Sequence, residues 1–71
     1  MAMVYARKWA SELPDRCQLC AMRLEDNDWV DGKTERGSWA HMCLRCHEEY
    51  GYGLGTGCGQ RWNKDGWWVK G

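Results

Sequence analysis

Residues 17–46 read CQLCAMRLEDNDWVDGKTERGSWAHMCLRC, with Cys17-x-x-Cys20 at one end, Cys43-x-x-Cys46 at the other and 22 residues between them. Structural zinc takes four tetrahedral ligands and favours thiolate. In a Cys-x-x-Cys turn both sulfurs face one ion while backbone N–H groups steady them. The spacer slightly exceeds the usual window of about 15–20 residues, and it has room for one hairpin. A redox dithiol of the thioredoxin type belongs to a βαβ pattern that is absent here. The expectation is one structural Zn2+ held by Cys17, Cys20, Cys43 and Cys46. Four sulfurs close its coordination, which points away from a catalytic metal.

The rest of the composition agrees with a metal-stapled module. The chain has 71 residues, five Cys, six Trp and no Phe. That length supports a single domain, residues 1–71, whose apolar core alone supplies little stability. Lys and Arg together number 10, as do Asp and Glu, so the net charge is zero. This excludes an evenly basic nucleic-acid coat and an acidic disordered tail. The mean hydropathy is −0.77, and no apolar run approaches a membrane span of about 20 residues. Arg7 and Lys8 interrupt the first ten residues, which argues against a signal peptide and for a cytoplasmic, thiol-reducing setting.

Val4, Tyr5, Lys8 and Trp9 have helix-like spacing within an N-terminal segment, residues 1–16, which Pro14 closes. Inside the spacer, Asp31-Gly32 predicts a turn between strands at Trp29-Val30 and Ser38–His41. Cys43–Tyr50 reads as a short helix ending at Gly51. Residues 51–59 place glycine at every second position. The tract reads either as an extended segment with one bare face or as a loop. In the Trp-rich segment, residues 60–71, Asp65-Gly66 predicts a two-residue hairpin turn. That register pairs Lys64 with Trp67, Asn63 with Trp68, Trp62 with Val69 and Arg61 with Lys70. It puts Trp62, Trp67 and Val69 on a core face, and Arg61, Asn63, Trp68 and Lys70 on a polar, basic face. Trp9, Trp29 and Trp39 are expected around the metal or under this hairpin. The fold class expected is small α+β, zinc-stabilised, with two short hairpins and one short helix.

Asp31-Gly-Lys-Thr-x-x-Gly37-x-Trp-Ala-x-Met-Cys43-x-x-Cys-His47, followed by Gly51-x-Gly-Leu-Gly-Thr-Gly-x-Gly-Gln60, resembles a family of small zinc-finger proteins encoded mostly by bacteriophages. The resemblance covers residues 17–60. It implies the same four cysteine ligands and a treble-clef or zinc-ribbon-like fold, and it carries no activity. Ser38 stands where Pro is usual, and Cys58 where a basic residue is usual. The second departure speaks against Cys58 as a ligand. His41 and His47 flank the second pair; His47 would point away from the ion on a helix, and His41 suits a donor behind the ligands.

Two functions follow from these residues. Arg61, Asn63, Trp68 and Lys70 suit a nucleic-acid contact in which Trp68 stacks a base. Residues 36–71 carry 5 basic and 3 acidic side chains, and residues 1–35 carry 5 and 7. Alternatively, a neutral, Trp-rich surface suits a protein partner, such as a host transcription, replication or defence protein, or a second copy of the chain. Catalysis is not expected: Gly53–Gly57 lacks the Gly-Lys-Ser/Thr of a phosphate loop. The two histidines also lack the further ligands of an HNH-type nuclease.

Overall fold

The computed structural model describes residues 7–71. Strands β1 (Trp29–Lys33) and β2 (Trp39–Cys43) form a hairpin, helix α1 (Leu44–Tyr50) follows, and β3 (Gly59–Trp62) and β4 (Trp68–Lys70) form a second hairpin. The two hairpins share one antiparallel sheet in the order β2-β1-β3-β4, because β3 pairs with β1. Cys17–Cys20, the first hairpin and then a strand-to-helix junction carrying Cys43 and Cys46 make a small α+β domain.

The first turn lies further along than Asp31-Gly32, which sit inside β1. The chain reverses at residues 34–37 instead. Thr34 holds this turn: its N–H and its hydroxyl both donate to the Ser38 carbonyl at 2.9 Å. Gly32 serves close approach rather than turning. A Cβ there would lie 2.9 Å from the Cys58 carbonyl oxygen and 3.1 Å from the Cα of Gly59, its partner on β3.

Cys43 ends β2 and caps α1, so the helix starts one residue later than its sequence suggests. At its end Gly51 is extended, not left-handed, and glycine is required because a Cβ would collide with the His47 ring. The glycine tract is a folded loop. Gly53, Gly55 and Gly57 have φ of +101°, +116° and +81°. Gly55 and Gly59 close the loop by exchanging backbone hydrogen bonds of 2.7 and 3.0 Å. The extended alternative is therefore not adopted.

The second hairpin differs in register from the two-residue expectation. Asn63 Oδ1 accepts the N–H groups of Asp65 and Trp67 at 2.9 and 3.0 Å, and the Asn63 N–H bonds the Trp67 carbonyl. Asn63 therefore pairs with Trp67 across a three-residue loop. Trp62 then faces Trp68, and a bulge restores the Arg61–Lys70 pair. The Trp faces exchange: Trp68 packs against the core, while Trp67 and Val69 are exposed.

Residues 7–9 are extended, not helical, and flank β4. Trp9 N–H donates to the Gly66 carbonyl and Trp68 N–H to that of Arg7. Val4 and Tyr5 of the expected helical pattern lie outside the described residues. Trp9 then turns onto the sheet, edge-on to Trp29 (4.9 Å between centroids), Trp62 (5.1 Å) and His41 (5.4 Å). Trp9 and Trp29 thus do pack beneath the hairpin, while Trp39 is 52% exposed.

Strand alternation sends Val30 to the opposite side, and its partner Met42 with it. Trp29, Leu24, Met42 and Val30 are fully buried, each stabilising by about 1.5–3 kcal/mol. Helix α1 packs on β1 and β2. Its start borders a concavity with Asp28 and Arg61, and its end borders one with Thr34 and Ser38. The helix is thus on the Val30–Met42 side, against β1 and β2 and not against β3 or β4, while Trp67 and Val69 of the second hairpin are exposed.

Candidate metal centre

The first cysteine pair is a tight knuckle. Arg16 bridges to Arg23, and Cys17 N–H donates to the Met22 carbonyl at 2.8 Å. Ala21 adopts φ +66° to close it. Leu19 N–H points back to Cys17 Sγ at 3.4 Å. Gln18 fastens the knuckle to the outer edge of β2: its N–H donates to the His41 carbonyl, and its Oε1 accepts the His41 N–H at 2.7 Å. The second pair sits at the strand-to-helix junction, with Cys43 at the cap and Cys46 in the first turn.

These elements bring the sulfurs of Cys17, Cys20, Cys43 and Cys46 within 4.8 Å of one another. Cys20 Sγ and Cys43 Sγ are 3.8 Å apart. Four metal–sulfur bonds of about 2.3 Å in a tetrahedron give edges of about 3.8 Å. A disulfide needs about 2.05 Å, and all five cysteines are free thiols. The donor set and spacing fit one tetrahedral metal ion.

The electrostatics show what the ion supplies. Burial pushes the Cys43 and Cys46 thiols up, and the neighbouring sulfurs add to the rise at Cys46. Cys17 is the exception. Burial opposes its ionisation, but the N–H groups of Cys43, Cys20 and Leu19 outweigh it and bring the thiol down to about 7. A divalent cation stabilises all four as thiolates.

The other candidate residues lie elsewhere. Cys58 is outside the cluster, and its carbonyl accepts the Lys33 N–H at 2.8 Å. His47 Nε2 bonds the Gly53 carbonyl at 2.8 Å and so holds the glycine loop. His41 Nε2 lies 3.7 Å from Asp31, and its ring packs edge-on to Trp9 and Trp29.

The four contact residues expected from the sequence do not form one open face. Trp68 is half-buried, with Arg7 stacked 5.4 Å from its ring. Both Nε and Nη2 of Arg61 bond Asp28 Oδ2, at 3.0 and 2.7 Å. Asn63 is spent on the turn. Lys70 is exposed, opposite Arg61. Trp67, 43% exposed, holds the place expected of Trp68, with Lys8 Nζ 4.7 Å from its ring. The longer loop had a local signal: Asn63 three residues before Gly66 is the pattern of a side-chain-capped turn with glycine in its left-handed position.

Among the described residues no helix is long and apolar enough to cross a membrane. Fold and site together define a small metal-binding module. Comparison with protein-family models, curated proteins and solved structures gave no match.

Proposed function

We propose that this is a zinc-stapled, non-catalytic module that binds single-stranded nucleic acid through its β3–β4 hairpin. The observation that carries this is exposed Trp67, with Lys8 against its ring, on a hairpin that also presents Lys70. An exposed indole beside a cation is the kind of platform on which single strands stack. Zinc is the metal that a closed set of four thiolates favours, and such a site stabilises a fold rather than activating water. On the resemblance to phage zinc-finger proteins, the setting is the cytoplasm of an infected host cell.

The test is a titration of the zinc-loaded chain with short single- and double-stranded oligonucleotides, read by Trp fluorescence at several salt concentrations. Quenching should saturate with single strands and weaken with salt. With about three phosphates neutralised, log K should fall with log[salt] at a slope of about −2. No change with any nucleic acid at low salt would overturn this reading.

A second reading rests on a different surface. Leu19, Trp39, Tyr50 and Tyr52 are all exposed, and they gather around the β1–β2 turn, where Leu19 and Tyr50 line one concavity with Arg36 and Ser38. Aromatic side chains of this kind anchor protein interfaces, so a host protein is the alternative partner.

A further inference from the structure

The four sulfurs of the metal cluster differ in what shields them. Cys17, Cys43 and Cys46 are 2%, 5% and 5% exposed, whereas Cys20 is open to solvent. Cys20 sits at the tip of the knuckle, where Gln18, Leu19, Ala21 and Met22 are exposed as well. Cys17 Sγ also accepts the Leu19 N–H at 3.4 Å. A donor of this kind draws electron density from a thiolate and blunts it as a nucleophile. Cys20 Sγ lies 3.8 Å from Cys43 Sγ. We propose that Cys20 is a modification site: peroxide-class oxidants attack its sulfur first, Cys43 resolves the product, and the metal is then released. The inference rests on the zinc reading above and is independent of the nucleic-acid one.

The chemistry balances with the oxidant alone. Held by the metal, Cys20 is a thiolate, and oxidation follows thiolate character and access. Its sulfur breaks the peroxide O–O bond. One oxygen stays on Cys20, which becomes a sulfenic acid, and the other leaves as hydroxide. The Cys43 thiolate then attacks the Cys20 sulfur, an S–S bond forms and a second hydroxide leaves. The sulfurs have given up one electron pair, the peroxide has taken it, and solvent protonates both hydroxides. Cys17 and Cys46 are left as ligands, and a pair of thiolates holds the ion far less firmly than the full set. The disulfide also pulls the knuckle onto the strand-to-helix junction, from 3.8 Å to about 2.05 Å between the sulfurs. Cys58 is the internal comparison. It is half-buried and outside the cluster, so its oxidation leaves the ion in place.

The test uses the zinc-loaded full chain, hydrogen peroxide as the probe and a chromogenic chelator that takes up released zinc. Zinc should appear in step with the loss of thiols. Peptide mapping of the first product should show a Cys20–Cys43 disulfide, and a dithiol reductant with added zinc should restore the Trp fluorescence of the untreated protein. Cys20→His keeps a four-ligand site of an accepted kind and should release its zinc several-fold more slowly than the parent. Cys58→Ser should release it at the parent's rate. If Cys20→His binds no zinc, the mapping on the parent decides alone. A first product in which Cys20 is still reduced, or oxidation at Cys58 with the zinc retained, would overturn the proposal and leave the zinc reading standing. A parent that takes up no zinc would overturn both.

Discussion

Gly32 on β1 and Gly59 on β3 face each other so closely that a side chain on either would crowd the backbone of the other. A Cβ on Gly32 would lie 3.1 Å from the Gly59 Cα, and one on Gly59 would lie 3.0 Å from the Gly32 Cα. This contact draws the two hairpins into one sheet. Gly32→Ala should separate β1 from β3 and destabilise the zinc-loaded protein by about 1–3 kcal/mol, measured by urea unfolding at fixed zinc. An unchanged midpoint would show that the strands tolerate the methyl.

Trp67 and Trp68 are adjacent and should behave oppositely. Trp68→Ala removes a ring packed on the core and should lower the melting temperature by several degrees, with about 2–4 kcal/mol lost. Trp68→Phe should be far milder, because the Trp68 Nε1 is buried without a partner among the described residues. Trp67→Ala should leave the melting temperature near that of the parent and weaken single-strand binding. Equal thermal losses in the two alanine variants would contradict the register described here.

Arg61 and Asp28 form a part-buried ion pair in which one carboxylate oxygen takes two guanidinium bonds. Removing one partner leaves the other charge half-buried. Asp28→Ala should therefore destabilise by only about 1–2 kcal/mol, because solvent screens the part-exposed pair. The double variant with Arg61→Ala should recover part of that loss. A double-mutant cycle on chemical denaturation reads the coupling, and strict additivity would show that the pair contributes nothing.

Metal affinity should rise with pH. Burial in the fold pushes Cys43 and Cys46 up, and in the stripped, unfolded chain free thiols still titrate at about 8.5, so at neutral pH the metal displaces protons in either case. The bound state holds fewer protons, and raising the pH favours it. Chelator competition between pH 6.5 and 8.5 should show affinity climbing with the release of about two or more protons per ion. A flat profile would mean that these thiols are already ionised.

What the sequence made legible follows from the range of the interactions involved. The two cysteine pairs of the cluster and the helix were readable because each depends on residues three or four apart: Cys17 with Cys20, Cys43 with Cys46, and the helix between Cys43 and Gly51. The hairpin faces were not. The Asp65-Gly66 pair is a genuine turn signal, but the Asn63 carboxamide captures the N–H groups of both Asp65 and Trp67 and adds one residue to the loop. Which Trp then faces inward is settled by Arg7–Trp9 pairing along β4, a contact across nearly the whole chain. Likewise, Asp31-Gly32 resembles a turn in isolation. Only Gly59, brought alongside by β3, shows why a glycine stands there.

Zinc stoichiometry by native mass spectrometry, with the unfolding of each species followed in parallel, decides whether the four thiolates hold one ion and the ion holds the fold. One zinc ion per chain is expected in the parent and in Cys58→Ser, and none in Cys46→Ser, which should unfold together with the chelator-stripped parent. Loss of the metal in Cys58→Ser, or a zinc-free parent that keeps its cooperative unfolding transition, would contradict it.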